Sequence, residues 1–586
     1  MAKVENLGAR QRRLCVLKFG SSVLERLEDY RTVAQEVYRH IRDGEKIVAV
    51  VSALAGETDR LLAQAGEVGG AAPDAALVAR LARTGELHSA ALLALALAKI
   101  GVRACTLDPH EMGLVATGAP LDADLAELDA GAVHAWFRAH EVVVVPGFTA
   151  GHEEHGVVTL GRGGTDLSAV FFAARLGAKR VRLLKDVDGV YAEDPAANPD
   201  AERYGALGYD EAAEASKGLI QPKAIEAAKA AGIAIEVAAI GHHEATLIAA
   251  VPARRAVPLR FPKLRVALLG CGAVGGGVLA CLRQRPDLFD VGPVLVRDPA
   301  KHRQGDHAGQ AFTADLGEAL AGGPDLLVEA LGGAELPARL IRDALRRGVP
   351  AVTANKAALA LHHDALQAAA EAGRASLAYS AAVGGGTPIL ETIRRLRAGG
   401  AVAAVEGVMN GTANFLLGKL AEGWAFDDAV AKAQELGFAE ADPSTDIEAH
   451  DAADKLALLA RAAFGAALFP ENIARESLRN VTPAQAQAAL ARGEVLKQVG
   501  RCRLLPGGAI FAEVAIESLP ASHPLAGAQD EENRFLVTGA DGHVHKLYGK
   551  GAGRWPTSAA MFADIMDLQR RLAAAPGETA RLRLTA

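Results

Sequence analysis

The apolar run LRVALL leads directly into Gly270-x-Gly272-x-x-Gly275 and then into a helix-forming stretch. In such a turn the first glycine permits a tight bend and the second lets backbone N–H groups approach a pyrophosphate. The third lets helix and strand pack closely. Ala273 and Val274 open the helix, whose N-terminus turns partial positive charge toward an anion. The spacing alone also suits a packing turn. The strand before it and the helix after it favour a parallel α/β sheet with a dinucleotide at its edge. The next strand, PVLV, ends in Arg297-Asp298. An acid there would bond the ribose hydroxyls of NAD(H), and an arginine would pair with the 2′-phosphate of NADP(H). Arg297 comes first, so NADP(H) is preferred over NAD(H), with a solvated Arg–Asp turn as the alternative.

A second strand-to-turn opening, LCVLKFGSSV, lies about 250 residues earlier. Between the two openings, 251–263 holds three prolines and four basic residues with no helical or strand periodicity, and reads as a linker. Both flanking parts alternate apolar strands with alanine-rich helical stretches, as α/β units do. Strands are expected at 47–53, 102–107, 142–147 and 181–189, with helices at 89–99 and 168–176. The predicted divisions are 1–250, the linker 251–263, a dinucleotide domain over 264–395, a mixed substrate domain over 396–546, and a C-terminal return over 547–586. At 586 residues the chain has room for several domains.

With 63 basic against 70 acidic residues, the net charge of −7 argues against a partner held by a basic field, so no nucleic acid is expected. The N-terminal stretch lacks the long apolar core of a signal peptide. No apolar run reaches the roughly 18 residues of a membrane helix, so no membrane partner is expected. The five cysteines are scattered without a Cys-x-x-Cys pair. Neither a disulfide framework nor a zinc cluster is indicated, and a cytoplasmic location is expected.

Asp451 and Lys455 stand four apart in HDAADKLALLARAAF, which has helical periodicity, so they share a face. A surface ion pair would look the same. The acid-rich lead-in GFAEADPSTDIE shifts the balance toward a site, because a lysine beside a carboxylate can move the alcohol proton in a hydride transfer. Lys356 follows a predicted strand end, where α/β sheets bind ligands. The ordered motifs LRVALLGCGAVGGG, VEALGG, TANKAALA, YSAAVGGGTPIL, VMNGTANFLL, GFAEADPSTDIEAHDAADKLALLAR and GKGAGRWPTSAA resemble homoserine dehydrogenase from about Lys263 onward. The resemblance implies NAD(P)-linked reduction of L-aspartate 4-semialdehyde to L-homoserine by a homo-oligomer, dimer or tetramer. It implies Lys455 as proton donor, Asp451 as its orienting partner, Glu440 as the carboxylate for the substrate ammonium, and Lys356 beside nicotinamide and substrate. Gly551 would belong to a C-terminal return to the cofactor. A Na⁺ or K⁺ would be held by the carbonyls of Val383, Gly385 and Thr387. Two positions depart from the pattern. Ser380 replaces a glutamate of the cation site, and Ala449 replaces a glycine, tolerable if the backbone there keeps φ negative.

In the first unit Lys18, Gly20 and Ser22 lie at a strand end without a Gly-Lys-Ser/Thr loop, so a plain turn would also account for them. Thr159-Leu-Gly-Arg162-Gly-Gly-Thr-Asp166 adds a guanidinium able to grip a carboxylate and an acid able to receive an α-ammonium. KDVDGVY adds acids at another strand end. With VVSALAGETDRLL, RTGELHSAALLALAL, PGFTA and GYDEAAE, these motifs resemble aspartokinase over about 15–240. That implies an amino-acid-kinase (carbamate-kinase-like) α/β sandwich joined to a Rossmann domain and an α+β substrate domain. It also implies transfer of the ATP γ-phosphate, with Mg²⁺, to the side chain of L-aspartate. Lys18 and Gly20 would hold phosphates, Ser52, Thr58, Glu86, Arg162 and Asp166 the aspartate, and Asp186 and Tyr191 the ribose side. Ser21 replaces a loop glycine. The family's later ATP-site lysine is missing from KGLIQPK or displaced to Lys217. The interval 241–263 is too short for the regulatory domains that fused enzymes of this kind carry, so no feedback inhibition through such a domain is expected. A second reading keeps only the dehydrogenase active, with the first unit as a scaffold. A third is a nucleotide-binding sensor.

Overall fold

The computed structural model describes residues 13–198, 200–242, 244–256, 263–302 and 307–574. It divides into two units, Met1–Arg260 and Phe261–Ala586.

The first unit is built on a nine-stranded sheet. Its centre is parallel: Ala234–Ala239, Arg180–Lys185, Leu14–Phe19, Lys46–Val51 and Val142–Pro146 lie side by side in that order. These strands are mostly buried, and Lys46–Val51 and Val142–Pro146 read as continuous apolar runs rather than alternating ones. Helix Gly164–Leu176 packs on the face made by Val16, Val48, Val50, Val181 and Leu183. Each such aliphatic side chain contributes about 1.5–3 kcal/mol on full burial. A separate four-stranded sheet comprises Val115–Ala119, Asp122–Glu127, Thr149–His152 and Gly156–Thr159. The 251–263 stretch departs from its reading as structureless: Arg254–Arg255 pairs antiparallel with Tyr204–Leu207 as an edge strand. Exposed arginines suit an edge, since charge discourages further pairing. Residues 257–262 of that stretch lie outside the described residues, as do 1–12 and 575–586.

In the second unit the run LRVALL forms strand Leu264–Leu269, flanked by Val294–Leu295 on one side and Leu326–Glu329 on the other. Phe312–Thr313, Ala351–Thr353 and Leu377–Ala378 extend this parallel sheet. Leu264–Leu269 therefore stands where the strand order reverses, the crevice in which doubly wound sheets take ligands. A mostly antiparallel six-stranded sheet follows, built from Val402–Val408, Ala474–Arg475, Glu494–Leu504, Ile510–Pro520, Glu532–Gly539 and Val544–Lys550. Helix His450–Phe464 lies in the core between the two sheets, with Leu456, Ala457 and Ala460 buried. Helix Arg554–Ala574 returns to pack on helix Ala273–Leu282, where Ser558 Oγ donates to the Val274 carbonyl at 2.9 Å. No helix among the described residues is long and apolar enough to cross a membrane.

Candidate active site

The glycine turn is tight for reasons that each glycine answers separately. Gly270 has φ +99°, and a Cβ there would run into the Ala330 carbonyl. A Cβ on Gly275 would strike the Gly270 carbonyl. Gly272, by contrast, caps helix Ala273–Leu282 with open space where a side chain would stand. Two glycines thus close the turn and the third leaves room for a ligand, which fits a pyrophosphate at the helix N-terminus. Arg297 is exposed at its strand end and pairs with no described residue. Asp298 is engaged locally, accepting from the Ala300 N–H at 3.1 Å and facing Lys301 at 4.0 Å.

Lys356 is the first residue of helix Lys356–Gly373, whose start is fixed by Asn355 accepting from the Ala358 N–H at 3.0 Å. The fully buried Glu329 secures the approach, accepting from Leu331 N–H at 2.6 Å, from the Thr353 hydroxyl and from Asn355 Nδ2. Burial pushes the Glu329 carboxyl above its usual pKa. Asp451 and Lys455 share a face of helix His450–Phe464, and both are 6% exposed. One oxygen of Asp451 pairs with Lys356. The other accepts from Lys455 at 2.8 Å and from Asn410 Nδ2 at 3.0 Å. Lys455 Nζ also donates to the Met409 carbonyl at 2.6 Å. The three residues named from sequence therefore meet, across about 100 positions of chain, on one carboxylate.

The charges differentiate the two lysines. Burial opposes ionisation of Asp451, but its two ammonium neighbours hold its carboxyl well below the usual carboxylate range. Burial lowers the pKa of Lys455; Asp451 offsets part of this and Lys356 adds to it, leaving the pKa below the ordinary lysine value. Lys356, whose side chain is 41% exposed, is lowered by burial but raised more by Asp451, and ends above that value. An ammonium has three donors. Lys455 commits one to Asp451 and one to Met409, and the third is left for an oxygen of a ligand.

Asn410 carries no signal in the sequence, and Asp446 stands there only as one acid of the lead-in. Asn410 caps helix Gly411–Ala421 through Ala413 N–H at 2.8 Å, while its amide donates to Asp446 at 2.7 Å as well as to Asp451. Thr412 Oγ1 bridges Asp446 and the Phe438 carbonyl, tying the acid-rich lead-in to this centre. Glu440, two residues beyond Phe438, is exposed and its carboxylate pairs with no described residue. Ala449 corrects the condition set for it: φ is +60°, the left-handed region, in a fully buried residue immediately before helix His450–Phe464. A Cβ there costs about 1–2 kcal/mol relative to glycine.

Around the loop 383–387, Gly385 has φ +58° and lies against Gly551, and the Gly386 N–H donates to the Lys550 carbonyl at 2.8 Å. Thr387 Oγ1 and Asn533 Oδ1 are buried there without a donor among the described residues. The Ser380 N–H donates to Asp564 at 3.0 Å. Gly551 thus lies against this loop, and the chain from there passes into helix Arg554–Ala574 and back to the glycine turn.

In the first unit Lys18 and Asp166 form an ion pair at 2.7 Å, 6% and 3% exposed. Lys185 also reaches Asp166, at 3.1 Å. Both oxygens of Asp166 are thereby engaged, so the α-ammonium that this acid was expected to receive has no free carboxylate here. Glu86 offers an uncommitted carboxyl oxygen instead: it is buried, with Oε2 lacking a donor among the described residues. Burial drives its pKa up to about 8, against a hydrogen bond from Ala53 and the charge of Lys18. Ser52 Oγ donates to Thr165 Oγ1 at 3.0 Å, and Thr58 sits partly exposed in the first turn of helix Glu57–Gly69. Arg162 is exposed between Gly161 and Gly163, both in the left-handed region, and its guanidinium pairs with no described residue. Gly20 wraps Lys18 so closely that a Cβ would come within 2.6 Å of the ammonium. Ser21 and Ser22 follow in an exposed 3₁₀ turn, and Ser21 needs no positive φ to fit. Asp186 is exposed; Tyr191 donates to Asp188 at 2.6 Å beside Arg203, with burial and Asp188 pushing its pKa up to about 12. Lys217 is exposed and pairs with Glu214, away from Asp166.

Cys15, His40 and Glu45 are the one grouping of ligand-type side chains within metal-binding reach among the described residues. His40 has both nitrogens occupied, by Glu45 at 2.6 Å and the Arg39 guanidinium at 2.9 Å. Burial and Arg39 lower its pKa, but hydrogen bonds to Cys15, Glu36 and Glu45 lift it to about 10. His40 and Glu45 thereby join Arg39 and Glu36 in an internal ion network.

Comparison with known families follows the same division. A profile described as the amino acid kinase family matches residues 13–239. The homoserine dehydrogenase NAD binding domain matches 270–380, and homoserine dehydrogenase itself 388–566. A homoserine dehydrogenase of Lactococcus lactis is 35% identical over 320 residues, 53% of this chain and 74% of the relative. One of Corynebacterium glutamicum is 35% identical over 331 residues, 54% of this chain and 74% of the relative. The crystal structure of a homoserine dehydrogenase from Thiobacillus denitrificans aligns with a TM-score of 0.51 at 33% identity, covering 55% of this chain and 76% of that one.

Proposed function

The chain belongs to the homoserine dehydrogenase family and carries an amino acid kinase domain ahead of the dehydrogenase domains, and from this we propose that it catalyses two reactions. The second unit reduces L-aspartate 4-semialdehyde to L-homoserine. The first phosphorylates the side-chain carboxylate of L-aspartate. The reading of the second unit rests above all on Lys455, which keeps one uncommitted donor in a buried cluster with Asp451, Lys356 and the Met409 carbonyl.

For the reduction, the bound nicotinamide supplies the hydride. The turn Gly270–Gly275, with Ala273 and Val274 at the helix start, holds the cofactor pyrophosphate. Lys455 donates a hydrogen bond to the carbonyl oxygen and gives it a proton as negative charge develops; its lowered pKa eases that transfer. Asp451 stays ionised and fixes both ammonium groups. Lys356, higher in pKa and more exposed, positions the substrate rather than surrendering a proton. Glu440 is free to take the substrate ammonium. The orphan oxygens of Thr387 and Asn533, on the loop that carries the carbonyls of Val383, Gly385 and Thr387 and beside it, fit Na⁺ or K⁺.

The free Arg297 and the locally engaged Asp298 support NADPH over NADH. Steady-state kinetics with both cofactors should show this preference. Arg297→Ala should lower the ratio of kcat/KM values by about tenfold or more, the worth of a charge-assisted hydrogen bond. An unchanged ratio would mean that Arg297 faces solvent only.

In the kinase reaction a side-chain oxygen of aspartate attacks the γ-phosphorus, the bond to the bridging oxygen breaks and ADP leaves with its electron pair. Lys18 and Gly20 hold phosphate oxygens, and Mg²⁺ enters on the phosphates. Glu86, which gives up its proton when an ammonium stands beside it, takes the α-ammonium, and Arg162 takes the α-carboxylate. The full chain should oxidise NADPH with aspartate 4-semialdehyde, and should form aspartyl hydroxamate from L-aspartate, ATP, Mg²⁺ and hydroxylamine. Oxidation without any hydroxamate would leave the first unit as a scaffold.

A further inference from the structure

We propose that Lys185 is a second phosphate-binding lysine of the first unit, holding the γ-phosphoryl group jointly with Lys18. This rests on the reading of that unit as a kinase.

Lys18 pairs in register with Leu183 across the parallel strands Leu14–Phe19 and Arg180–Lys185. Side chains alternate along a strand, so Lys185, two residues beyond Leu183, emerges on the same sheet face as Lys18, one pleat farther toward the strand ends. That face carries helix Gly164–Leu176, whose first turn supplies Asp166. Lys185 reaches Asp166 at 3.1 Å and Lys18 does so at 2.7 Å, with all three residues buried.

This is one carboxylate for two ammonium groups. A structural ion pair in a low-dielectric setting needs one of each, and a second buried cation adds repulsion that packing does not repay. The repulsion is visible in Lys185, whose pKa burial lowers and Lys18 lowers further. Glu86 does not neutralise the excess, since its carboxyl titrates near 8 and is mostly protonated at neutral pH. The pocket therefore carries surplus positive charge at the carboxyl ends of central parallel strands, where α/β sheets bind ligands. An anion with several oxygens satisfies it, and in this reaction the group that gains from two flanking ammoniums is the phosphoryl in flight. The lysines of KGLIQPK do not supply this charge: Lys217 is held by Glu214 at the surface, and Lys223 by Asp122 at 3.0 Å and Asp124 at 3.3 Å. Lys185 thus stands in, from a different strand, for the cation that stretch lacks.

The test compares the full chain with Lys185→Met and Lys185→Arg. Kinase turnover is read by hydroxamate formation, and calorimetry gives the affinities for ADP and for a non-hydrolysable ATP analogue with Mg²⁺. Lys185→Met should lower kcat by about 10²-fold or more while ADP affinity stays within about threefold, the pattern expected when a transition-state contact is lost. It should also erase the extra affinity conferred by the γ-phosphate, which Lys185→Arg should retain in large part. A purely structural lysine would leave the ATP-to-ADP affinity ratio unmoved, and that result, or a kcat within about threefold of the parent, overturns the proposal. If the parent chain makes no hydroxamate, the aspartate kinase reading fails, but the affinity ratio still decides on Lys185: lost in Lys185→Met it upholds the role, unchanged it refutes it. Should Lys185→Met lose ADP binding altogether, Lys185→Gln, which keeps a polar contact to Asp166 without the charge, is judged by the same ratio.

Discussion

Lys455→Ala is expected to reduce the kcat for aspartate 4-semialdehyde by roughly 10²–10⁴-fold, the usual range for general acid–base catalysis. Kinase turnover of the same preparation should be unaffected. The magnitude follows from what is removed. Lys455 is the only group in the cluster with a depressed ammonium pKa, burial and an uncommitted donor together. Its loss takes away the proton that accompanies hydride arrival, and water must supply that proton instead. Lys356 is no substitute, because Asp451 holds its pKa up and its side chain opens toward solvent.

The pH profile separates this role from a structural one. Carbonyl reduction needs Lys455 protonated, so its rate should fall as pH rises through a midpoint below the ordinary lysine value. Alcohol oxidation needs it neutral and should rise through the same midpoint. Lys455→Ala should flatten both limbs. A variant with parental kcat, or one that is slow but keeps the parental profile, would reduce Lys455 to half of a buried ion pair. Folding is not expected to be the obstacle, since Asp451 keeps Lys356 as a partner when Lys455 is removed.

Much of this was legible in the sequence where chemistry is local. The i,i+4 spacing of Asp451 and Lys455 put both on one helical face, and the glycine spacing marked the turn at Gly270. What escaped was long-range or conformational. Asn410 lies about 40 positions from Asp451, and only the folded chain shows that one amide orients two acids while its oxygen caps a helix. Ala449 has no sequence signal for its φ of +60°; a glycine would have announced it. Its strain sits where the chain enters the helix bearing Asp451 and Lys455, and that entry is held by the hydrogen bonds of Asp446 rather than by backbone preference. Lys185 was read as part of a motif notable for its acids. A lysine closing the buried strand RVRLLK was the available clue, because a charged residue ending a buried strand is costly unless a partner or ligand meets it. Asp166 was read as a receptor for substrate when its neighbours in space, though not in sequence, are two lysines.

Lys18→Ala is expected to lower kinase turnover by about 10³-fold or more while leaving the dehydrogenase intact, at the upper end for losing one preorganised charge at a developing anion. Removing Lys18 leaves Asp166 and Lys185 as a one-to-one pair, so the pocket loses its surplus positive charge and with it the drive to gather phosphate oxygens. It also leaves Asp166 compensated, so the variant should fold, which retained ADP binding would verify. The combined Lys18→Ala, Lys185→Met chain differs in kind. It strands a buried carboxylate with no cation, which costs on the order of 3–5 kcal/mol, and should unfold the first unit at lower temperature. The contrast between a stable inactive single variant and an unstable double variant is what a shared carboxylate predicts. A single variant that kept near-parental turnover would mean that the loop from Lys18 to Ser22 is only a turn.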